Sequence, residues 1–279
     1  VTSLLAVAPR HLGDGVMALP AMHALARVAP LRIDGPRWAT DLYRDVPQDR
    51  SGPPPDAAVL FAPSLGAALR VRRLRRRIGT PTDLRGWLLT DPVAPGVHPR
   101  DTFAALASAA GARAEGPPAW RVRDSDPTVD VPDGHVGLVP LSASGAVRAW
   151  PGFRALADRV RGPVVWYAGP GEEAAIAAIA GRDPIRAGLS LPAFARALAR
   201  CRALVSVDTG AAHFAAAAGA RTVVVFGSTA PESSAPWGAE AVRGDPLPCA
   251  PCHRRRCALD RPRCFDGDHL LPALLERLS

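Results

Sequence analysis

The chain has 279 residues, 48% of them hydrophobic, which suits two domains of roughly 130 residues each and cores of useful size. Its formal charge is +8 and all 34 basic residues are arginine, so lysine chemistry such as a Schiff base is excluded and any cationic phosphate clamp must be Arg. No apolar run reaches the ~18 residues of a membrane span and no charged region precedes the first apolar stretch, so a cytoplasmic protein is expected.

In chain order, Ser3–Ala8 reads as a buried strand. A Gly13-Asp14-Gly15 turn and a helix from about Val16 to Val28 follow. Asp14 sits near that helix start, where an N-cap is the plain structural use of an Asp and a catalytic carboxylate the functional one. Ala57–Ala62 is a second strand, and Leu65–Arg77 is expected to be helical. On that helix Arg70, Arg72, Arg73, Arg75, Arg76 and Arg77 would form a basic face beside a seam of Leu69, Val71, Leu74 and Ile78. Such a face is either simply solvated or touches an anionic acceptor or the acidic membrane surface. Thr102–Gly111 is helical, and Ala114–Pro132, rich in Pro, Asp and Arg, is the best linker candidate.

A second set of elements begins at the strand His135–Pro140. The segment Ser142-Ala143-Ser144-Gly145-Ala146-Val147-Arg148 suits a loop that wraps phosphate, with Arg148 as a fork across two phosphates. Helix Phe153–Arg161, strand Pro163–Ala168, helix Glu172–Ala180 and helix Pro192–Arg200 come next. Glu172, just past a strand, is placed either to take ribose hydroxyl hydrogens or to face solvent in a first turn. The apolar run Ala203–Val207 then ends at Asp208-Thr209-Gly210, where an Ala-rich helix carrying His213 opens. Unpaired N–H groups at a helix start, at the carboxyl end of a parallel strand, form a phosphate-binding elbow. The alternation of strands and helices argues for two parallel-sheet α/β domains.

Cys249, Cys252, Cys257 and Cys264 form C-x2-C-x4-C-x6-C, with His253 and Arg254–Arg256 inside the cluster. Four soft ligands could hold a structural zinc, and the alternative is reduced thiols in a loop, their pKa values lowered by the arginines. With aromatic residues at 5% and no base-stacking platform, nucleic acid is not an expected partner.

The strings VAPRHLGDGVMALPAMHALARVAP, PLSASGAVRAWPGFRALADRV, AGPGEE, LSLPAFARALARCRALVSVDTGAAHFAAAAGARTVVVFGSTAPES and Cys-Ala-Pro-Cys occur in one order. That order resembles the bacterial lipopolysaccharide heptosyltransferases, the ADP-heptose-dependent group of glycosyltransferase family 9. The resemblance implies the GT-B architecture, two Rossmann-like domains with parallel sheets and an active site in the cleft between them. It implies an acceptor-binding domain over 1–126, shortened after Val46, and a donor-binding domain over 127–279. A last helix at about 268–278 would pack back across the boundary. Asp14 falls on the family's general base, Arg148 on a cation that contacts donor phosphates, and Glu172 on a nucleoside contact. Asp208, Thr209, Gly210 and His213 match the diphosphate site, and Arg10, His11 and Gly13 form the loop on the acceptor side. The implied reaction moves heptose from ADP-heptose to a hydroxyl of an anionic glycan or glycolipid, inverting the anomeric carbon, with no catalytic metal or cofactor. A transferase of the same fold using another nucleotide sugar, and a non-catalytic nucleotide-binding protein, are the alternatives the sequence leaves open. A location in the cytoplasm, peripheral at the inner face of the membrane, follows from such an acceptor.

Overall fold

The computed structural model describes residues 2–49, 51–143, 145–254 and 256–279. It divides into two units, Val1–Ala119 and Trp120–Ser279. The first holds β1 (Leu4–Val7), α1 (Leu12–Met17), α2 (Leu19–Val28), β2 (Leu31–Asp34), α3 (Trp38–Leu42), β3 (Ala57–Leu60), α4 (Leu65–Arg70), β4 (Arg76–Gly79), β5 (Asp91–Pro92) and α5 (Pro99–Ala109). Its five strands lie in the order β2-β1-β3-β4-β5, every pair parallel. Strand β3 is buried at all four positions, as expected where helices cover both faces of a parallel sheet.

Two expectations for this unit are corrected. The Gly-Asp-Gly stretch is the body of α1 and not a turn, so Asp14 is its third residue and His11 occupies the N-cap position. Gly15 serves packing here: a Cβ on it would lie 2.4 Å from the Trp38 ring, so only Gly lets α3 approach so closely. The second correction concerns the arginine run. Helix α4 stops at Arg70, Val71 leaves the helical region (φ −102°, ψ 8°), and Arg76 and Arg77 belong to strand β4. There is therefore no single basic helix face. Burial of Ile78 between neighbouring strands outweighs the helix-like spacing of Val71, Leu74 and Ile78.

The second unit holds β6 (His135–Val139), α6 (Phe153–Arg159), β7 (Val164–Ala168), α7 (Glu173–Ala180), β8 (Ile185–Ala187), α8 (Leu191–Leu198), β9 (Cys201–Val207), α9 (Gly210–Ala217), β10 (Thr222–Phe226), α10 (Pro231–Ser234), β11 (Glu240–Arg243) and α11 (Leu270–Leu278). Its six strands are ordered β11-β10-β9-β6-β7-β8, again all parallel. Strands β7 and β10 are buried throughout, and each fully buried Val or Phe there contributes about 2 kcal/mol. Ser190 starts α8 by accepting from the Ala193 N–H, with Pro192 in the first turn. Leu270, Leu274 and Leu278 form the buried stripe of α11, which joins the core of this unit beside α6 and β11.

The unit begins at Trp120, seven residues before the expected boundary at 126–127. The Trp120 N–H donates to the Ala217 carbonyl at 2.8 Å, and its buried ring meets Phe214 edge to face at 5.1 Å. Arg123 N–H donates to the buried Asp126. The stretch expected as a linker is thus tied from Trp120 onward to the second unit.

Candidate functional site

Where the chain reverses direction across a parallel sheet, the loops leaving the two central strands diverge and open a crevice at their carboxyl ends. In the second unit that point lies between β6 and β9, since the chain runs outward through β7 and β8 and then through β10 and β11. Val139 of β6 pairs with Ser206 of β9, so the two strands end side by side. The loop after one carries Arg148 and the loop after the other carries Asp208.

These two residues meet. Arg148, in a 3-10 turn over Gly145–Arg148, donates from Nη1 to the Asp208 carbonyl at 3.1 Å and to its Oδ2 at 3.2 Å. Asp208 is 5% exposed and also accepts from Ser234 Oγ, at the end of α10, at 3.2 Å. Arg148 Nε is buried and has no hydrogen-bond partner among the described residues. A buried N–H left unpaired is costly, and here it belongs to a cation at a switch point. The geometry refines the sequence reading: the carboxylate of Asp208 holds the guanidinium in place, a separate job from touching an anion of like charge. Ser234 is a residue that sequence reasoning missed, for it stands 26 positions from Asp208 in an unremarkable Ser-Ser pair.

Thr209 follows in extended conformation (φ −152°, ψ 163°) as N-cap of α9, without a side-chain cap, and Gly210 is the first helical residue. His213, buried, lies one turn further on. Glu172 leaves the neighbouring β7 loop as N-cap of α7, and its Oε2 accepts from the Gly169 N–H at 2.8 Å. The carboxylate closes its own turn and remains partly exposed. Trp150 is a packing residue, buried edge to face on Phe153 at 5.3 Å. Ser144 of the expected phosphate loop, like Arg255 in the cysteine segment, lies outside the described residues.

In the first unit the reversal falls between β1 and β3. Asp14 sits just past β1, in the first turn of α1, with Gly13 buried before it and Arg10 and His11 exposed ahead of the helix. Tyr43, fully buried, donates from its hydroxyl to the Gly15 carbonyl at 3.0 Å and so ties α3 to the segment bearing Asp14. Burial raises the Tyr43 phenol pKa, and the neighbouring Asp14 charge raises it further. Tyr43 too was absent from the sequence reading.

The cysteine segment drapes over the loop after β10. The N–H groups of Cys252 and His253 both donate to the Ser228 carbonyl, at 3.0 and 2.9 Å, and the Phe265 ring fills the space a Cβ on Gly227 would need. Cys249 is exposed, Cys252 and Cys257 are partly exposed and Cys264 is buried, all free. Among the described residues no group of three or more His, Cys, Asp or Glu side chains is placed to hold a metal ion, so the zinc expectation finds no support. Burial, with the other three thiols adding to it, pushes Cys264 up to about 11, the opposite of the lowering expected from the arginines.

Two parallel α/β sheets, each with a polar loop at its switch point, define the GT-B class of two-domain Rossmann-like proteins. Within that class, residues 105–262 match the model of glycosyltransferase family 9 (heptosyltransferase), and the chain belongs to that family. It is 39% identical over 97 residues to lipopolysaccharide heptosyltransferase 1 of Pseudomonas aeruginosa, a match spanning 33% of this chain and 27% of that protein. The fold is similar to E. coli ADP-heptose lipopolysaccharide heptosyltransferase II, with a TM-score of 0.78 at 19% identity over 99% of this chain and 97% of the other. It is also similar to the E. coli heptosyltransferase WaaC with ADP, at a TM-score of 0.70 and 15% identity over 100% of both chains. Among the described residues no helix is long and apolar enough to cross a membrane.

Proposed function

We propose that this protein is an inverting glycosyltransferase that moves a heptose from ADP-heptose to a hydroxyl of a glycan or glycolipid acceptor. The observation that carries the reading is the Arg148–Asp208 pair at the second unit's switch point, with its unpaired Nε. ADP-heptose is the donor named for the E. coli heptosyltransferase II that this fold is similar to.

In this reading the second unit binds the donor. Arg148 and the N-terminus of α9 at Thr209 and Gly210 take the diphosphate, with His213 behind them, and Glu172 takes a ribose hydroxyl. The first unit binds the acceptor through the loop of Arg10, His11 and Gly13. The Asp14 carboxylate accepts the proton of the acceptor hydroxyl as that oxygen bonds to the anomeric carbon. The bond from that carbon to the diphosphate breaks on the opposite face, which inverts the centre. Negative charge then grows on the leaving diphosphate, where a fixed guanidinium and helix N–H groups stabilise it without reorganising.

The test is incubation with ADP-heptose and a heptose-deficient lipopolysaccharide core, read by mass spectrometry. A mass gain of one heptose is expected, falling about 10²- to 10⁴-fold in Asp14→Asn while ADP binding stays unchanged. Undiminished transfer by Asp14→Asn would refute the role of Asp14.

A further inference from the structure

The arginine run of the first unit, once it is not a helix, divides into two functional halves. Arg70 pairs with Asp34 at 3.0 Å and Arg76 with Asp91 at 2.8 Å, while Arg77 spends its guanidinium on the carbonyls of Leu88 and Leu74. Arg72, Arg73 and Arg75 are exposed and make no ion pair among the described residues. No acidic residue occurs between positions 70 and 77.

The two carbonyl bonds of Arg77 pin the turn around Leu88 against the turn around Leu74. Leu88, Leu89, Val71 and Leu74 share one small core there. The pinned segment 81–88 presents two large apolar side chains to solvent, Leu84 at 90% exposure and Trp87 at 75%. It is rigidly built. Arg85, fully buried, donates to the Thr80 carbonyl, the Thr80 hydroxyl and the Ala62 carbonyl at 2.7–2.8 Å. Asp83 and Leu84 both sit at left-handed φ, +53° and +56°. That backbone suits Gly or Asn, and for a leucine it costs on the order of 1 kcal/mol. A residue strained in the backbone and apolar in water at once is poorly explained by folding alone.

We infer that this surface, with Leu84 and Trp87 at its tip and Arg72, Arg73 and Arg75 beside it, docks the protein on an anionic lipid bilayer. Tryptophan favours the boundary between headgroups and acyl chains, and leucine enters the hydrocarbon edge. Arg73 and Arg75, with Arg72 held by a bond from its Nη1 to the Leu69 carbonyl at 3.0 Å, bring three exposed positive charges to match the negative surface of such a membrane. An aliphatic residue at the extreme tip argues against nucleic acid, which would want stacking platforms. This binding does not depend on the transferase reading.

The experiment is flotation of the whole chain with phosphatidylcholine vesicles and with vesicles that also contain phosphatidylglycerol. Wild type should float with the anionic vesicles only, and less in high salt. Arg72→Gln/Arg73→Gln/Arg75→Gln should lose about fivefold in partitioning per arginine, the equivalent of ~1 kcal/mol each. Leu84→Ser/Trp87→Ser should lose binding with an unchanged unfolding temperature, because both side chains are exposed. Independently of any variant, vesicles with brominated acyl chains should quench part of the wild-type tryptophan emission. The inference is overturned if wild type ignores anionic vesicles, if the serine variant floats as well as wild type, or if brominated lipid quenches nothing. A wild-type dimer that the serine variant dissolves, with no vesicle binding, would instead assign the surface to a second copy.

Discussion

Arg148 and Asp208 are bound twice through a single nitrogen: Nη1 reaches both the backbone carbonyl and the carboxylate of Asp208, leaving Nε buried and unpaired among the described residues. The pair fastens the loop after β6 to the loop after β9 at the point where the sheet reverses. An arginine held in this way presents its charge in one direction, which is what recognition of a fixed anion requires.

Asp208 should therefore act through Arg148. A double-mutant cycle with Arg148→Ala and Asp208→Ala, read by ADP titration, should give a coupling energy of roughly 1–3 kcal/mol. Arg148→Lys should bind ADP nearly as weakly as Arg148→Ala, since an ammonium bonded to both Asp208 acceptors has no second nitrogen in the place of Nε to offer an anion. Simple additivity in the cycle would separate the two residues.

Close packing at Gly15 predicts a stability effect with a specific cure. Gly15→Ala drives a methyl into the Trp38 ring and should cost about 2 kcal/mol, visible as an unfolding temperature lowered by roughly 5 °C. Trp38→Leu, which vacates the contact, should restore most of that loss in the double variant. An unchanged melting curve for Gly15→Ala would mean that α3 yields at no cost.

How far the sequence reached differs from site to site for physical reasons. The strand-to-helix junction there was legible because the largely apolar run Ala203–Val207 ending in Asp208-Thr209-Gly210 has few alternative foldings. The first loop was misread because Gly13 and Gly15 are poor helix residues, at about 1 kcal/mol each relative to Ala, and tertiary packing on Trp38 outweighs that local preference. The arginine run failed for another reason. Over a strand of four residues the spacing of Leu74 and Ile78 cannot be told from a helix, and β2, β5, β8 and β11 escaped because Arg32, Asp91, Arg186 and Glu240 interrupt the apolar runs that marked the equally short β1 and β3. Long-range links such as Ser234 to Asp208 and Tyr43 to Gly15 leave no local mark at all.

Acid should destabilise the second unit through His135. It is buried between the Pro132 carbonyl and the Tyr167 hydroxyl, and burial lowers its pKa below the ordinary 6.5. For a histidine with a depressed folded pKa, stability is fully present above 6.5 and is lost as pH falls below that value. The unfolding temperature should thus drop as pH falls below about 6.5, and less steeply in His135→Gln. His23, on α2 of the first unit and also lowered by burial, should give that unit a slope of the same sign, which its replacement should flatten.

Alkylation should rank the thiols by burial and ionisation. With its pKa raised from 9.0 to about 11, Cys264 carries about a hundredfold less thiolate near pH 8 than an unperturbed thiol. Iodoacetamide followed by peptide mass spectrometry should find Cys249 modified first, and Cys264 and the likewise raised Cys201 last. Early modification of Cys264 would show that the loop over Ser228 opens readily.

The most direct test of the central claim is isothermal titration of the purified protein with ADP-heptose, ADP, UDP and GDP, repeated on Arg148→Ala and Asp208→Ala. The account predicts binding of ADP-heptose and ADP that weakens about tenfold or more in both variants, as loss of a charge-assisted hydrogen bond requires. Preference for UDP or GDP would move the protein to another nucleotide sugar. ADP binding undiminished in both variants would contradict the account.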